Sequence, residues 1–173
     1  MRVGLLATVA VLLCLGGCAP GGLAPVGQSR KPAPDFSLPT TGGQRIVLSS
    51  LKGKVVVVDF WATWCDSCPQ ALAHLQLMAG DPAMARQGLI TVPINEQENT
   101  KAARAFVDAN HFTLDVALDS DGSIATSYGI ISLPTTIVIG RDGLVWAVIP
   151  GWTQDTPTQI DQALAGALNA PVP

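Results

Sequence analysis

Two cysteines three positions apart, Cys65 and Cys68, have the clearest chemical potential in this sequence. They follow an apolar, β-branched run at residues 55–61 and precede a proline and a helix-like stretch. Cysteines at this spacing at a helix start can close a small disulfide ring or can both react with one incoming disulfide. Peptide N–H groups and the positive end of the helix dipole favour the thiolate of the first cysteine. We therefore predict that Cys65 is the nucleophile and Cys68 the resolving thiol.

Other uses of this pair fit the sequence less well. A structural zinc site needs four ligands, usually two such pairs, and His74 and His111 are not spaced to complete one. A permanent structural disulfide would close so small a ring that it would constrain the unfolded chain little. Asp66 and Ser67 make the intervening loop polar, which argues against buried inert thiols. We predict a site without metal and without a cofactor.

Asp59 lies inside the apolar run at 55–61. Burying an ionised carboxylate is unfavourable, so the pKa of Asp59 should rise. A raised pKa would let Asp59 exchange a proton with Cys68 during turnover. The alternative is an acid at the strand end that simply reaches water.

Composition excludes several classes of protein. The chain has 173 residues, 48% apolar and 13% charged, with a formal charge of -3. This length suits one domain, and this balance excludes a disordered chain or a basic nucleic-acid-binding protein. No uninterrupted apolar run reaches the length of a membrane-spanning helix. Four cysteines are too few for a disulfide scaffold in a chain of this length.

The N-terminus is typical of a bacterial lipoprotein. One positive charge precedes an apolar run at residues 3–15, and Leu15-Gly16-Gly17-Cys18 resembles a lipobox, in which cleavage leaves a lipid-modified Cys18. We predict a signal peptide at 1–17, lipidation at Cys18, a Pro/Gly-rich tether at 18–34 and a folded domain at 35–173. The expected location is the bacterial cell envelope, facing the periplasm and anchored to the membrane. The alternative is a plain signal peptide with an incidental cysteine.

Strand and helix patterns alternate along the rest of the chain. Strands are predicted at 55–61, 89–94, 116–118, 135–139 and 144–149, and helices at 69–79, 100–110, 123–128 and 157–168. Asn110 is predicted to end its helix in a left-handed conformation. Such alternation favours an α/β sheet covered on both faces.

Four segments, in the correct order, resemble the thioredoxin superfamily, specifically membrane-tethered thiol–disulfide oxidoreductases of the TlpA/ResA type. They are residues 33–38, 48–54, 61–68 and 129–136. The resemblance implies a thioredoxin fold, with a central mixed β-sheet flanked by helices on both faces and an N-terminal β-hairpin extension.

The resemblance also implies roles for single residues. Pro134 matches the cis-proline that faces the cysteine pair in this family, and Leu133 would then offer backbone groups to a substrate chain. Asp59 coincides with the buried aspartate of thioredoxin, where many TlpA-type chains have Asn. Trp64, next to Cys65, is expected to shield the nucleophile and to contact partners, whereas Trp61 is expected to pack.

The predicted function is reduction of disulfides in envelope proteins, with electrons from a membrane-bound donor. The family resemblance implies apocytochrome c as one candidate substrate. Asp66 adds negative charge beside the nucleophile, and Pro69 stands where relatives often have a basic residue. Because of both features, the Cys65 thiolate should be stabilised less than it is in strongly oxidising relatives. A less stable thiolate favours a reductase.

Three alternatives remain. The first is a thiol oxidase of the same fold. The second is peroxide reduction, disfavoured because Ala62 stands where peroxiredoxins place Thr. The third is a copper-binding assembly module, since soft thiolates suit Cu(I), but related copper-delivery proteins space their cysteines one residue wider and add a distal His.

The remaining polar candidates have ordinary interpretations. His74 is expected on a surface or groove and His111 in a connector. Glu96 and Glu98 are predicted to be solvated residues of a loop that caps the following helix.

Overall fold

The computed structural model describes residues 31–171. The predicted signal peptide, Cys18 and residues 19–30 of the predicted tether lie outside this range. A five-stranded sheet forms the centre. Its strands are β3 (Val55–Trp61), β4 (Leu89–Glu96), β5 (Ala117–Asp119), β6 (Thr135–Ile139) and β7 (Val145–Pro150). Their order across the sheet is β5-β4-β3-β6-β7. Strands β3, β4 and β5 are parallel, and β6 is antiparallel to both β3 and β7, so the predicted mixed sheet is confirmed.

The two faces of the sheet are covered differently. The helices are α1 (Cys68–Ala79), α2 (Pro82–Arg86), α3 (Thr100–Ala109), α4 (Ser123–Tyr128) and α5 (Thr156–Asn169). Odd-numbered residues of β3 face buried residues of α1, α3 and α5. Even-numbered residues of β3 face α4 and the N-terminal segment. This alternation follows from the two-residue period of a strand, and it explains why all of β3 is apolar apart from Asp59. Among the described residues, no helix is both long and apolar enough to cross a bilayer.

An N-terminal strand pair precedes the sheet, as predicted. Strands β1 (Ser37–Pro39) and β2 (Arg45–Val47) pair antiparallel and lead into a short 3-10 helix at Leu48–Leu51. Residues that precede the predicted domain boundary at residue 35 already bond to the domain. Pro32 forms an isolated bridge with Leu144, and the Ala33 N–H donates to the Gly143 carbonyl at 3.0 Å.

Two local features differ from the sequence-based expectation. Helix α2 was not predicted, because five residues are too few to show helical periodicity. The Asp81 carboxylate caps it by accepting from the Ala83 N–H at 2.7 Å. At the end of α3 the left-handed residue is His111, with φ 58°, and not Asn110, whose φ is -97°. The helix itself ends at Ala109, one residue before the predicted end, and the left-handed residue follows Asn110 by one position.

Candidate redox site

Cys65 and Cys68 form a disulfide just beyond the carboxyl end of β3. A tight turn leads there, in which the Cys65 N–H donates to Ala62 and the Cys68 N–H to Cys65, each at 3.2 Å. Because Cys68 is the first residue of α1, the bond holds the Cys65 sulfur at the amino end of that helix. Cys65 keeps 7% of its surface exposed and Cys68 none, so only Cys65 can be approached from solvent.

Apolar side chains occupy the segments next to the disulfide. Trp64 is 71% exposed, which is unusual for a tryptophan. Leu133 packs against the cluster that contains both cysteines. The peptide bond between Leu133 and Pro134 is cis, and the Pro134 carbonyl accepts from the Gly151 N–H at 2.7 Å. Ile131, two residues before Leu133, is 97% exposed. A visiting polypeptide would therefore meet an apolar rim.

Asp59 is almost fully buried, at 1% exposure. Its Oδ1 accepts from the Thr136 hydroxyl at 2.6 Å, and its Oδ2 has no hydrogen-bond partner among the described residues. Desolvation raises the pKa of Asp59 to about 7, and the Thr136 hydrogen bond opposes that rise. The structure thus confirms the predicted upward shift of the Asp59 pKa. It excludes the alternative in which the Asp59 side chain reaches water. As an odd-numbered residue of β3, Asp59 lies on the face covered by α1, which Cys68 begins.

Glu98 was wrongly expected to be a solvated loop residue. Its carboxylate accepts from the Thr63 N–H at 2.8 Å, the Thr63 hydroxyl at 2.5 Å and the Asn95 side-chain amide at 2.7 Å. Asn95 itself is fully buried. Glu98 thereby fastens the end of β4 to the turn that carries Cys65. The capping role falls instead to Asn99, whose Oδ1 accepts from the Ala102 N–H at 3.0 Å. The contacts between Glu98 and Thr63 carried no sequence signal, because these residues lie 35 positions apart in the chain.

Replacing Glu98 with alanine should destabilise the protein by about 1–2 kcal/mol, because the Asn95 amide and the Thr63 N–H lose their acceptor. Insulin reduction should also slow, since the Cys65 turn loses its support. Glu96→Ala is the matched control, because it removes the same charge from a neighbouring residue that bonds neither Thr63 nor Asn95. Urea denaturation of the two oxidised variants is the measurement. Equal midpoints for the two variants would contradict this role of Glu98.

The two histidines lie apart from the disulfide chemistry. His74 on α1 contacts the Asp161 carboxylate at 3.0 Å, and its ring lies 6.1 Å from that of Trp152. His111 is exposed, as expected for a connector. Trp61 is fully buried and packs on Phe106 with ring centroids 5.1 Å apart, which confirms its predicted packing role. Within residues 31–171, no three His, Cys, Asp or Glu side chains converge as a metal site would require.

The class of thiol–disulfide oxidoreductases is defined by a thioredoxin-like sheet, a Cys-x-x-Cys disulfide at the start of a helix, and a cis-proline, which here follows a residue packed against the cysteine cluster. The chain belongs to the AhpC/TSA family, whose profile matches residues 29–148.

Named relatives agree with this class. The thiol–disulfide oxidoreductase ResA of Bacillus thuringiensis subsp. konkukian is 32% identical over 134 residues, which span 78% of this chain and 75% of that protein. ResA of Bacillus subtilis is 35% identical over 119 residues, 69% of this chain and 65% of that protein. A crystal structure from Chlorobium tepidum, described as a thiol:disulfide interchange protein DsbE, superposes with a TM-score of 0.75 at 30% identity. It covers 83% of this chain and 99% of that one. This chain is therefore a thiol–disulfide oxidoreductase with a thioredoxin-like α/β fold.

Proposed function

We propose that this protein is an exported, lipid-anchored reductase of disulfides in envelope proteins. The observation that carries the proposal is the asymmetry of the cysteine pair. Cys65 is the reachable sulfur at the amino end of α1, and Cys68 is sealed beneath it. This arrangement suits a dithiol in which one sulfur attacks a substrate and the other can reach only its own partner.

The reaction begins with the reduced pair. The Cys65 thiolate attacks one sulfur of the substrate disulfide, so a mixed disulfide forms and the first substrate sulfur leaves as a thiolate, which takes up a proton. Cys68 then gives its proton to the Asp59 carboxylate and attacks the Cys65 sulfur. The second substrate thiolate is released, and the Cys65–Cys68 disulfide remains. Two electrons and two protons from a membrane-bound donor restore the dithiol.

Substrate recognition would use the apolar rim. Leu133 would pair with an extended substrate segment through its backbone groups, beside the cis peptide bond to Pro134, and Trp64 would cover the side chains beside the substrate cysteine. Such a site favours a flexible segment over a buried disulfide, because the segment must lie flat across the rim. An unfolded apocytochrome c with an oxidised cysteine pair has this character.

The anchor is proposed from the N-terminal sequence. The apolar run that ends in Leu15-Gly16-Gly17-Cys18 supplies the lipidation signal, and lipid on Cys18 would hold the domain at a bilayer facing the periplasm. Tethering of this kind keeps the enzyme close to a membrane-bound electron donor. It also raises the local concentration of substrates that emerge at the same surface.

An insulin-reduction assay combined with a redox titration tests the proposal. The purified protein with dithiothreitol should accelerate insulin reduction. Titration against glutathione should give a potential closer to the roughly -270 mV of thioredoxin than to the roughly -120 mV of DsbA. A potential near that of DsbA would instead establish the thiol oxidase. Absence of insulin reduction, together with stoichiometric Cu(I) retention, would favour the copper module.

A further inference from the structure

Charge is distributed unequally between the two ends of the sheet. Strand β3 runs from Val55 to Trp61, and the disulfide follows its carboxyl end. We call this the redox end. The opposite end is formed by the start of β3, the turn between β6 and β7, the end of α2 and the first described residues.

Basic residues gather at this opposite end, which we call the basic end. The Gly53 N–H donates to the Arg141 carbonyl at 3.0 Å, and the Val145 N–H donates to the Lys31 carbonyl at 2.9 Å. The Arg141 guanidinium donates to the Gln87 carbonyl at 2.7 Å. These bonds join the segments that carry the basic residues. The members of the basic end are Lys31, Lys52, Lys54, Arg86 and Arg141, of which all but Arg141 are exposed.

Acids at the basic end offset only part of this charge. They are Asp35, Asp81 and Asp142, and each carboxylate already accepts a backbone N–H. The pKa of Asp35 is lowered, chiefly by its hydrogen bond with Ser49 and also by Lys52. It therefore remains ionised, and the basic end retains a positive excess of about two charges at neutral pH.

The redox end has the opposite character. Asp66, Glu96, Glu98 and Asp121 lie around the carboxyl ends of β3, β4 and β5. In the described part of the chain, one basic residue lies at this end, Lys101 in the first turn of α3. An anionic surface would therefore repel the redox end and attract the basic end.

The path of the chain agrees with this polarity. The first described residues lie at the basic end, so the segment that leads back to Cys18 departs from there. An open groove of about 380 Å³ lies at the same end, with an apolar floor that includes Leu51, Val56 and Leu144. Lys52 and Lys54 also line it, together with Asp35 and Asp142, whose carboxylates already accept backbone N–H groups. Lysines that flank an apolar groove match a surface of anionic headgroups above acyl chains.

We propose that the basic end is a docking surface for an anionic lipid bilayer, which turns the disulfide toward the aqueous side. This inference rests on the proposed lipid anchor, which would bring the domain to the bilayer. The anchor by itself permits any orientation, whereas the charge distribution selects one. The redox end then faces protein substrates away from the headgroups.

Hydrogen exchange on the lipidated full chain in vesicles tests the proposal. Vesicles of phosphatidylcholine alone are compared with vesicles that also contain phosphatidylglycerol. Amides near residues 50–54 and 140–144 should exchange more slowly only with phosphatidylglycerol, and those of 62–68 should not change. The protection should disappear near 1 M NaCl, where the Debye length is about 3 Å.

Lysine-to-glutamine variants at the two ends of the sheet make the test specific. Lys52→Gln/Lys54→Gln should lower the ratio of docked to free domain by roughly 30-fold. Lys101→Gln should leave this ratio unchanged or raise it slightly. Equal protection on both lipid compositions, or protection at 62–68, would overturn the proposal.

Failure of the anchor is distinguishable from failure of the docking surface. An unlipidated chain would not stay with phosphatidylcholine vesicles. Its flotation with phosphatidylglycerol vesicles at low salt must still depend on Lys52 and Lys54, and independence from them would again overturn the proposal. Insulin reduction in solution should be the same for all these variants, because none of the three lysines contacts the disulfide.

Discussion

Cys65→Ser should reduce insulin no faster than dithiothreitol alone. A serine hydroxyl is not ionised near neutral pH and cannot form a disulfide, so the first covalent step is lost. Cys68 cannot replace Cys65, because none of its surface is exposed. The variant should still fold. The substitution removes the disulfide, but this bond closes a loop of only four residues and therefore constrains the unfolded chain little.

Cys68→Ser should fail in a different way. Its Cys65 thiolate can still attack, but the resolving sulfur is absent, so the mixed disulfide with substrate accumulates. Non-reducing gel electrophoresis of this variant with an oxidised peptide should show a covalent adduct that dithiothreitol releases. The same gel should show no adduct for Cys65→Ser. If the adduct formed with Cys65→Ser instead, the assignment of nucleophile and resolving thiol would be reversed.

Asp59→Asn should stabilise the protein above neutral pH. In the unfolded chain an aspartate ionises near pH 3.9, whereas burial raises the pKa of Asp59 to about 7 in the folded protein. Between these values the folded state holds a proton that the unfolded state has released. Wild-type stability therefore falls as pH rises from about 4 to 7 and then levels off. Asparagine has no such titration, so its advantage should reach about 2–4 kcal/mol at pH 8 and nearly vanish at pH 4.

Urea denaturation of the oxidised proteins at several pH values measures this difference. Asp66→Asn is the control. Asp66 is exposed between the cysteines, so this substitution removes the same charge but eliminates no buried carboxyl group. A stability gain for Asp59→Asn that does not depend on pH would contradict a buried titrating carboxyl group.

The same Asp59→Asn variant should be slower in turnover. If Asp59 accepts the proton of Cys68, its loss should lower kcat by roughly 10- to 100-fold and remove the limb of the pH profile near pH 7. A variant that gains stability and keeps wild-type kcat would show that Asp59 is buried without a role in proton exchange. Stability and turnover thus report separately on burial and on catalysis.

Local patterns determined much of the fold. The β-branched run of β3, the periodic apolar residues of α1 and α5, and the Gly-Arg-Asp-Gly turn each specify an element through interactions between near neighbours. Helix α2 could not be predicted from the sequence, because its five residues span little more than one turn. Its cap Asp81 is recognisable only once the helix is known.

The sequence by itself determined the reactive pair, the strand that precedes it and the acid within that strand, because these features lie within one short segment, residues 55–68. The tertiary structure decided what surrounds them. It buried Asp59 under α1 and joined Glu98 to Thr63 across 35 positions. It also left an excess of acidic residues at one end of the sheet and an excess of basic residues at the other. Such arrangements depend on which strands become neighbours in the sheet. Strand order brings together residues that are distant in sequence, and no local sequence pattern indicates these pairs.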